Sequence, residues 1–174
     1  MSDSNALPVL VVDAGGTFNK RYDPIGGELQ VAPGHAALDA ILASGRQNLD
    51  LERVQPVCKD SLEMTDEDRE AIIGAIESAG TRWRDAPVIV IHGTDTMERT
   101  AEVIAQRLPG RVVVLTGAMR PFEIDAVEPA LNVGLALGFV QGGPSAGVYL
   151  AMSGLVRPLG RLAKDRARGR FRAI

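Results

Sequence analysis

Three stretches of this chain, VIVIH (Val88–His92), VVVLT (Val112–Thr116) and GVYLAM (Gly147–Met152), are nearly unbroken apolar runs of strand length. A strand with one face in water alternates polar and apolar residues, whereas a strand apolar throughout must be covered on both faces. These runs therefore predict a parallel sheet enclosed by helices. Further strands are predicted over Leu7–Asp13 and Arg53–Val57, and helices over His35–Ser44, Asp66–Ala79, Thr96–Leu108 and Pro129–Gln141. In the second helix Ile72, Ile73 and Ile76 fall at helical spacing, Thr65 is placed to cap it, and Asp66, Glu67 and Asp68 favour the positive end of its dipole. In the fourth, Leu131, Val133, Leu135, Leu137 and Val140 make one broad apolar side with little polar relief, which predicts a deeply buried helix or a subunit contact. Strand–helix alternation predicts an α/β fold: a mostly parallel, doubly wound sheet with helices on both faces.

The 174 residues, 45% hydrophobic and 24% charged, suit a single domain spanning residues 1–174. A net charge of −3 gives no reason to expect a nucleic-acid or anionic-membrane partner. The start MSDSNALP has no basic region followed by an apolar core, and no apolar run nears the ~18 residues that span a bilayer. The lone Cys58 reads as a buried small residue, and it excludes an internal disulfide and a multi-cysteine metal site. His35 and His92 stand on separate segments, so no zinc site is expected, and His92 ends a strand as a satisfied core histidine does. The expectation is a cytoplasmic domain without metal or cofactor. RYDPIGGE (Arg21–Glu28) is rich in turn residues and predicts a mobile loop or hairpin tip. The segment Arg157–Ile174 sets Arg157, Arg161, Lys164, Arg166, Arg168, Arg170 and Arg172 against one acid, Asp165. With Phe171 as its one aromatic, it reads as a solvated or subunit-contacting end, not a nucleic-acid tail.

Open α/β sheets bind ligands at the carboxyl ends of their strands. Gly15, Gly16 and Thr17 follow the first strand, Gly93-Thr94-Asp95-Thr96 the third, Gly117-Ala118-Met119-Arg120 the fourth, and Ser153-Gly154 the fifth, with Lys164 ten residues further on. DAGGT by itself has two readings. It is the phosphate grip of a kinase-like ATPase, with Asp13 engaging magnesium through water, or it is the seat of a threonine nucleophile. The second reading gains from Thr94, which the third strand would set across the pocket from Thr17. A threonine hydroxyl needs an adjacent base, and a desolvated, neutral Lys164 near Asp95 would supply a Thr–Lys–Asp arrangement. Hydrolysis of a small amide fits this set better than phosphoryl or hydride transfer, and it needs no cofactor. Each residue also has a plainer reading: Thr17 and Thr94 as caps, Asp95 as a first-turn acid, Lys164 as a solvated charge, Ser61 as part of a helix-entry turn, and Tyr22 as surface cover.

The segments DAGGTFNK, HGTDTMERTA and VVLTGAMRP, in this order and spacing, resemble the signature segments of the bacterial L-asparaginase family. The chain length, KDSLEMTDEDR at Lys59–Arg69 and the ending KDRARGRF resemble the short-chain members that lack the C-terminal domain. The resemblance implies the fold of the asparaginase N-terminal domain and conversion of L-asparagine and water to L-aspartate and ammonia through a β-aspartyl-threonine ester. It implies Thr17 as nucleophile, Tyr22 as the residue orienting Thr17 when its loop closes, and Thr94 with Lys164 as a second proton-handling pair. Asp95 would also bind the substrate α-ammonium, Ser61 the α-carboxylate, and the Ala118 backbone would sit near the leaving nitrogen. Gly16, Gly93 and Asp60 complete the implied substrate contacts. Two positions depart from the family pattern: Ala14 replaces the usual threonine, and Leu62 stands where many members carry glutamine, with Asp60 a candidate to replace that contact. HGTDT and TGAMRP have no role in the kinase-like reading, so a Mg-ATP-binding module is the alternative and a non-catalytic amide-binding sensor a third possibility. A homo-oligomer, dimer or tetramer, is expected.

Overall fold

The computed structural model describes residues 6–43 and 49–174; the first residues of the start read for a leader, and the predicted helix end at Ser44, lie outside them. In chain order the strands are β1 (Leu7–Asp13), β2 (Lys20–Asp23), β3 (Glu28–Val31), β4 (Leu49–Val54), β5 (Val88–Ile91), β6 (Val112–Thr116), β7 (Gly147–Met152), β8 (Leu155–Pro158), β9 (Leu162–Asp165) and β10 (Arg170–Ala173). The helices are α1 (Ala36–Leu42), α2 (Asp66–Glu77), α3 (Met97–Arg107) and α4 (Val127–Gln141). A six-stranded sheet runs in the order β4-β1-β5-β6-β7-β8, parallel except for β8 at one edge.

Both faces of the sheet are covered, as the unbroken apolar strands require. Successive side chains of β1 point to opposite faces, so Leu10 and Val12 join Ile72, Ile73 and Ile76 of α2 and Ala101 and Ile104 of α3. Val9 and Val11 join Leu38 of α1 and Val133, Ala136 and Val140 of α4. Helix α2 starts in a capping box in which Thr65 and Asp68 each bond the other's backbone N–H. Among the described residues no helix is long and apolar enough to cross a membrane.

Four expectations change in the structure. The strand predicted at Arg53–Val57 is β4, Leu49–Val54, an edge strand that turns Leu49 and Leu51 inward while Asp50 pairs with Arg82 and Arg53 with Asp39. Charged residues suit an exposed edge strand, and Pro56, without an N–H, cannot extend the ladder. The segment Arg157–Ile174 is not a solvated tail. It contributes β8 to the sheet and then the β9–β10 hairpin, whose Leu162 and Phe171 are buried in the α2/α3 core. Its arginines sit at exposed positions before, between and after these apolar anchors. The turn into β8 is Ser153-Gly154, both at positive φ, as a two-residue hairpin demands. Helix α4 is buried along Asn132, Val133, Ala136, Leu137 and Val140; Leu131 and Val127 are exposed, and Ala130, Leu131, Gly134, Leu135, Gly138 and Phe139 line an open apolar groove with Val156 of β8. Cys58 is half-buried, not buried. RYDPIGGE forms the β2–β3 hairpin and its tip, as the turn residues suggested.

Candidate active site

The site follows from the crossovers. β1 leads to α1 on one face, whereas β5 leads to α3 on the other, so their loops part at neighbouring strand ends. This divergence is the switch point where such sheets leave a crevice. Three loops meet there. Gly15 and Gly16 follow β1, Lys59-Asp60-Ser61 enters from beyond β4 with the Gly16 N–H donating to the Lys59 carbonyl at 2.9 Å, and Gly93-Thr94-Asp95 follows β5.

The loops touch through backbone because no side chains intervene. Gly16 has φ +80°, and a Cβ there would lie 2.4 Å from the Gly93 Cα; a Cβ on Gly93 would lie 2.6 Å from Ser61. Gly16, Gly93 and Ser61 are therefore stacked; half-buried Thr17 follows Gly16 and buried Thr94 follows Gly93. The Ser61 Oγ accepts from the Asp95 N–H at 3.2 Å, and the Thr96 hydroxyl donates to the Ser61 carbonyl at 2.8 Å. Ala118 is buried behind Gly117, which packs against the His92 carbonyl.

Lys164 arrives from β9, placed by the burial of Leu162 and Phe171 on either side of the hairpin. Its Nζ is 2.8 Å from both the Thr94 Oγ1 and the Asp95 Oδ1. The structure thus brings Thr94, Asp95 and Lys164 together, a contact that the basic surroundings of Lys164 did not announce. Arg166, missed in the sequence, also pairs with Asp95. It lies just past the end of β9, in the turn to β10, and no local signal marks it among the neighbouring arginines. Burial pushes the Asp95 carboxyl up, but the hydrogen bonds and charges of Lys164 and Arg166 outweigh it and hold Asp95 below the usual carboxylate range.

Asp60 accepts from the Leu62 N–H at 3.1 Å and pairs with Lys20 at 2.6 Å. Burial raises its carboxyl, yet the Lys20 contact leads the opposing effects and the net direction is down. A cleft of about 510 Å³ opens beside it, lined in part by Lys20, Gln30, Cys58, Lys59 and Glu63. Tyr22 lies on β2 at 57% exposure, with its backbone N–H on Glu123, so it stands apart from the Thr94–Lys164–Asp95 cluster.

His92 follows β5 and is fully buried. Its Nδ1 is 2.8 Å from the Gly93 carbonyl, which only accepts, so Nδ1 carries the hydrogen and Nε2 accepts from the Thr100 hydroxyl at 2.8 Å. The Arg69 Nε donates to that same hydroxyl oxygen at 3.2 Å. Burial, abetted by the Arg69 charge and opposed by the Gly93 bond, lowers the imidazole from 6.5 to about 4. His92 is a neutral structural histidine that fixes the Gly93 carbonyl beneath the Thr94 turn.

Asp13, which a phosphate-grip reading needs at the ligand, is fully buried. It accepts from the Gly15 N–H at 2.9 Å and the Asn19 Nδ2 at 2.7 Å. A carboxylate tied inward in this way is not presented to a metal-bound water.

Solved structures with this fold include the thermostable L-asparaginase from Thermococcus kodakarensis (23% identity, TM-score 0.76, 97% of this chain and 51% of that one). L-asparaginase I from Vibrio cholerae matches with 22% identity and a TM-score of 0.77, over 97% of this chain and 51% of that chain. A probable cytoplasmic L-asparaginase from Campylobacter jejuni matches with 22% identity and a TM-score of 0.71, over 96% and 51%. At these identities the likeness is one of fold, and the chain spans about half the length of each structure, 51%. The family model for the asparaginase N-terminal region matches residues 8–170, nearly the whole sequence, and on that match the chain belongs to the asparaginase family.

Proposed function

We propose that the protein hydrolyses L-asparagine to L-aspartate and ammonia, with Thr17 as nucleophile. The observation that carries the reading is the Lys164 ammonium nitrogen, 2.8 Å from both Thr94 and Asp95, whose turn packs through Gly93 against Gly16, the residue before Thr17. Family membership supplies the substrate class. In this reading the Thr17 oxygen attacks the side-chain amide carbon, forming a C–O bond. The C–N bond then breaks, and the nitrogen, having taken the proton that the Thr17 hydroxyl gave up on attack, leaves as ammonia. A water activated at Thr94 cleaves the resulting β-aspartyl ester and returns the hydrogen to Thr17. Lys164, when deprotonated, accepts the Thr94 proton, and Asp95 stabilises the ammonium so formed. Asp95 also receives the substrate α-ammonium and the Ser61 region its α-carboxylate, with Gly16, Gly93, Asp60 and Ala118 shaping the remaining contacts. Tyr22 reaches Thr17 through closure of the β2–β3 hairpin.

The test is ammonia release by the folded protein from L-asparagine, L-glutamine and D-asparagine. Release from L-asparagine is expected; a folded protein that releases none from any of these amides contradicts the reading, and tight calorimetric binding of Mg-ATP would revive the phosphate grip. A homo-oligomer, dimer or tetramer, is part of the same proposal, prompted by the exposed apolar side of α4. Light scattering that finds only monomer at working concentration would remove it.

A further inference from the structure

A carboxylate at the buried end of an apolar strand costs free energy, so Asp13 calls for an explanation. One of its oxygens ties down both ends of the nucleophile loop. Oδ1 accepts from the Gly15 N–H at 2.9 Å, just before Thr17, and from the Asn19 side-chain amide at 2.7 Å, just after it. Asn19 is itself buried, and its backbone N–H donates to the Gly16 carbonyl at 3.1 Å. Thr17 thus sits midway along a short loop closed on itself by one acceptor. The other oxygen, Oδ2, is buried without a hydrogen-bond partner among the described residues and faces the His35 Nδ1, equally unpartnered, at 3.5 Å. Burial drives the Asp13 carboxyl above its usual range, and the bonds to Gly15 and Asn19 and the nearness of His35 only partly offset it.

We propose that Asp13, acting through Gly15 and Asn19, is the positioning residue that holds Thr17 in attacking geometry. The proposal rests on the reading of Thr17 as the nucleophile. What the clamp requires is an acceptor at Oδ1, not a charge. An asparagine at this position keeps that acceptor and turns its NH₂ toward the free His35 Nδ1, satisfying both unpartnered atoms at once. An alanine keeps nothing.

The experiment compares wild type with Asp13→Asn, Asp13→Ala and Asn19→Ala for kcat and KM on L-asparagine, melting temperature, and amide hydrogen exchange at Gly15 and at residue 19. A displacement of about 1 Å at a reacting atom costs about 10²-fold, so Asp13→Ala and Asn19→Ala should lower kcat by roughly that factor with KM within about threefold. Asp13→Asn should stay within about threefold of wild type in kcat, because the acceptor is retained. Asn19→Ala, which leaves the bond to Gly15 in place, serves if Asp13→Ala does not fold. Retained kcat in Asp13→Ala or Asn19→Ala, or loss in Asp13→Asn as deep as in Asp13→Ala, overturns the proposal. If wild type hydrolyses no amide, the functional reading fails separately, and exchange then judges the clamp. Faster exchange at Gly15 and residue 19 in Asp13→Ala, and at residue 19 in Asn19→Ala, but not in Asp13→Asn supports it; unchanged exchange in every variant overturns it.

Discussion

His92 offers a stability prediction that needs no substrate. In the folded protein its imidazole is held neutral down to about 4, while the unfolded chain protonates it at 6.5. Between those values the unfolded state binds one more proton, so folding stability must fall as pH falls. The stabilisation is complete above 6.5, declines through the window, and levels off once pH is below about 4. Integrating from pH 7 to pH 5 with these two values gives a loss of about 2 kcal/mol from this single group. The perturbation is His92→Asn, which removes the titration while keeping a polar side chain beside Thr100. Urea unfolding at fixed protein concentration, at pH 7 and at pH 5, yields the stability change for each protein. Wild type should lose about 2 kcal/mol more than the variant over that interval. The comparison subtracts Asp13, whose raised carboxyl acts in the opposite sense by taking up its proton earlier when folded. Equal pH dependence in the two proteins would refute the assignment of a buried neutral imidazole.

Three further perturbations test how the site is held. Gly16→Ala places a Cβ 2.4 Å from the Gly93 Cα at φ +80°; the strain of about 1–3 kcal/mol should appear in urea unfolding, together with loss of ammonia release. Phe171→Ala empties a core position on the hairpin that carries Lys164. A loss of about 3–5 kcal/mol in urea unfolding is expected, where a solvated tail would show none. Lys164→Met should lower kcat by about 10²–10⁴-fold, and Lys164→Arg should not restore it, because a guanidinium stays protonated.

Much of this architecture was legible because apolar runs are local. β1, β6 and β7 lie where their apolar runs, rich in Val and Leu, predicted, and Thr65 caps α2 as its position implied. The strand-end rule led to Thr17, Thr94 and Asp95 because each follows a glycine turn at a strand terminus. Lys164 was harder. Its neighbours Arg161, Arg166 and Arg168 mask two isolated apolar anchors, Leu162 and Phe171, whose burial shows only when the hairpin is folded against α2 and α3. Ser153-Gly154 was the local signal for the chain's reversal into β8. β4 was misplaced because its LDLERV alternation is weaker than the apolar residues around Pro56. The Asp13 clamp was illegible for a different reason: a lone acid after four valines and leucines names no partner, and Asn19 and His35 reach it only through the loop's path.

The most direct measurement is ammonia release from L-asparagine by wild type beside Thr17→Ala and Thr94→Ala, with the fold of each checked by circular dichroism. Wild type should turn over the substrate, and both variants should lose about 10²-fold or more. Turnover that survives either substitution in a folded protein would contradict the two-threonine site.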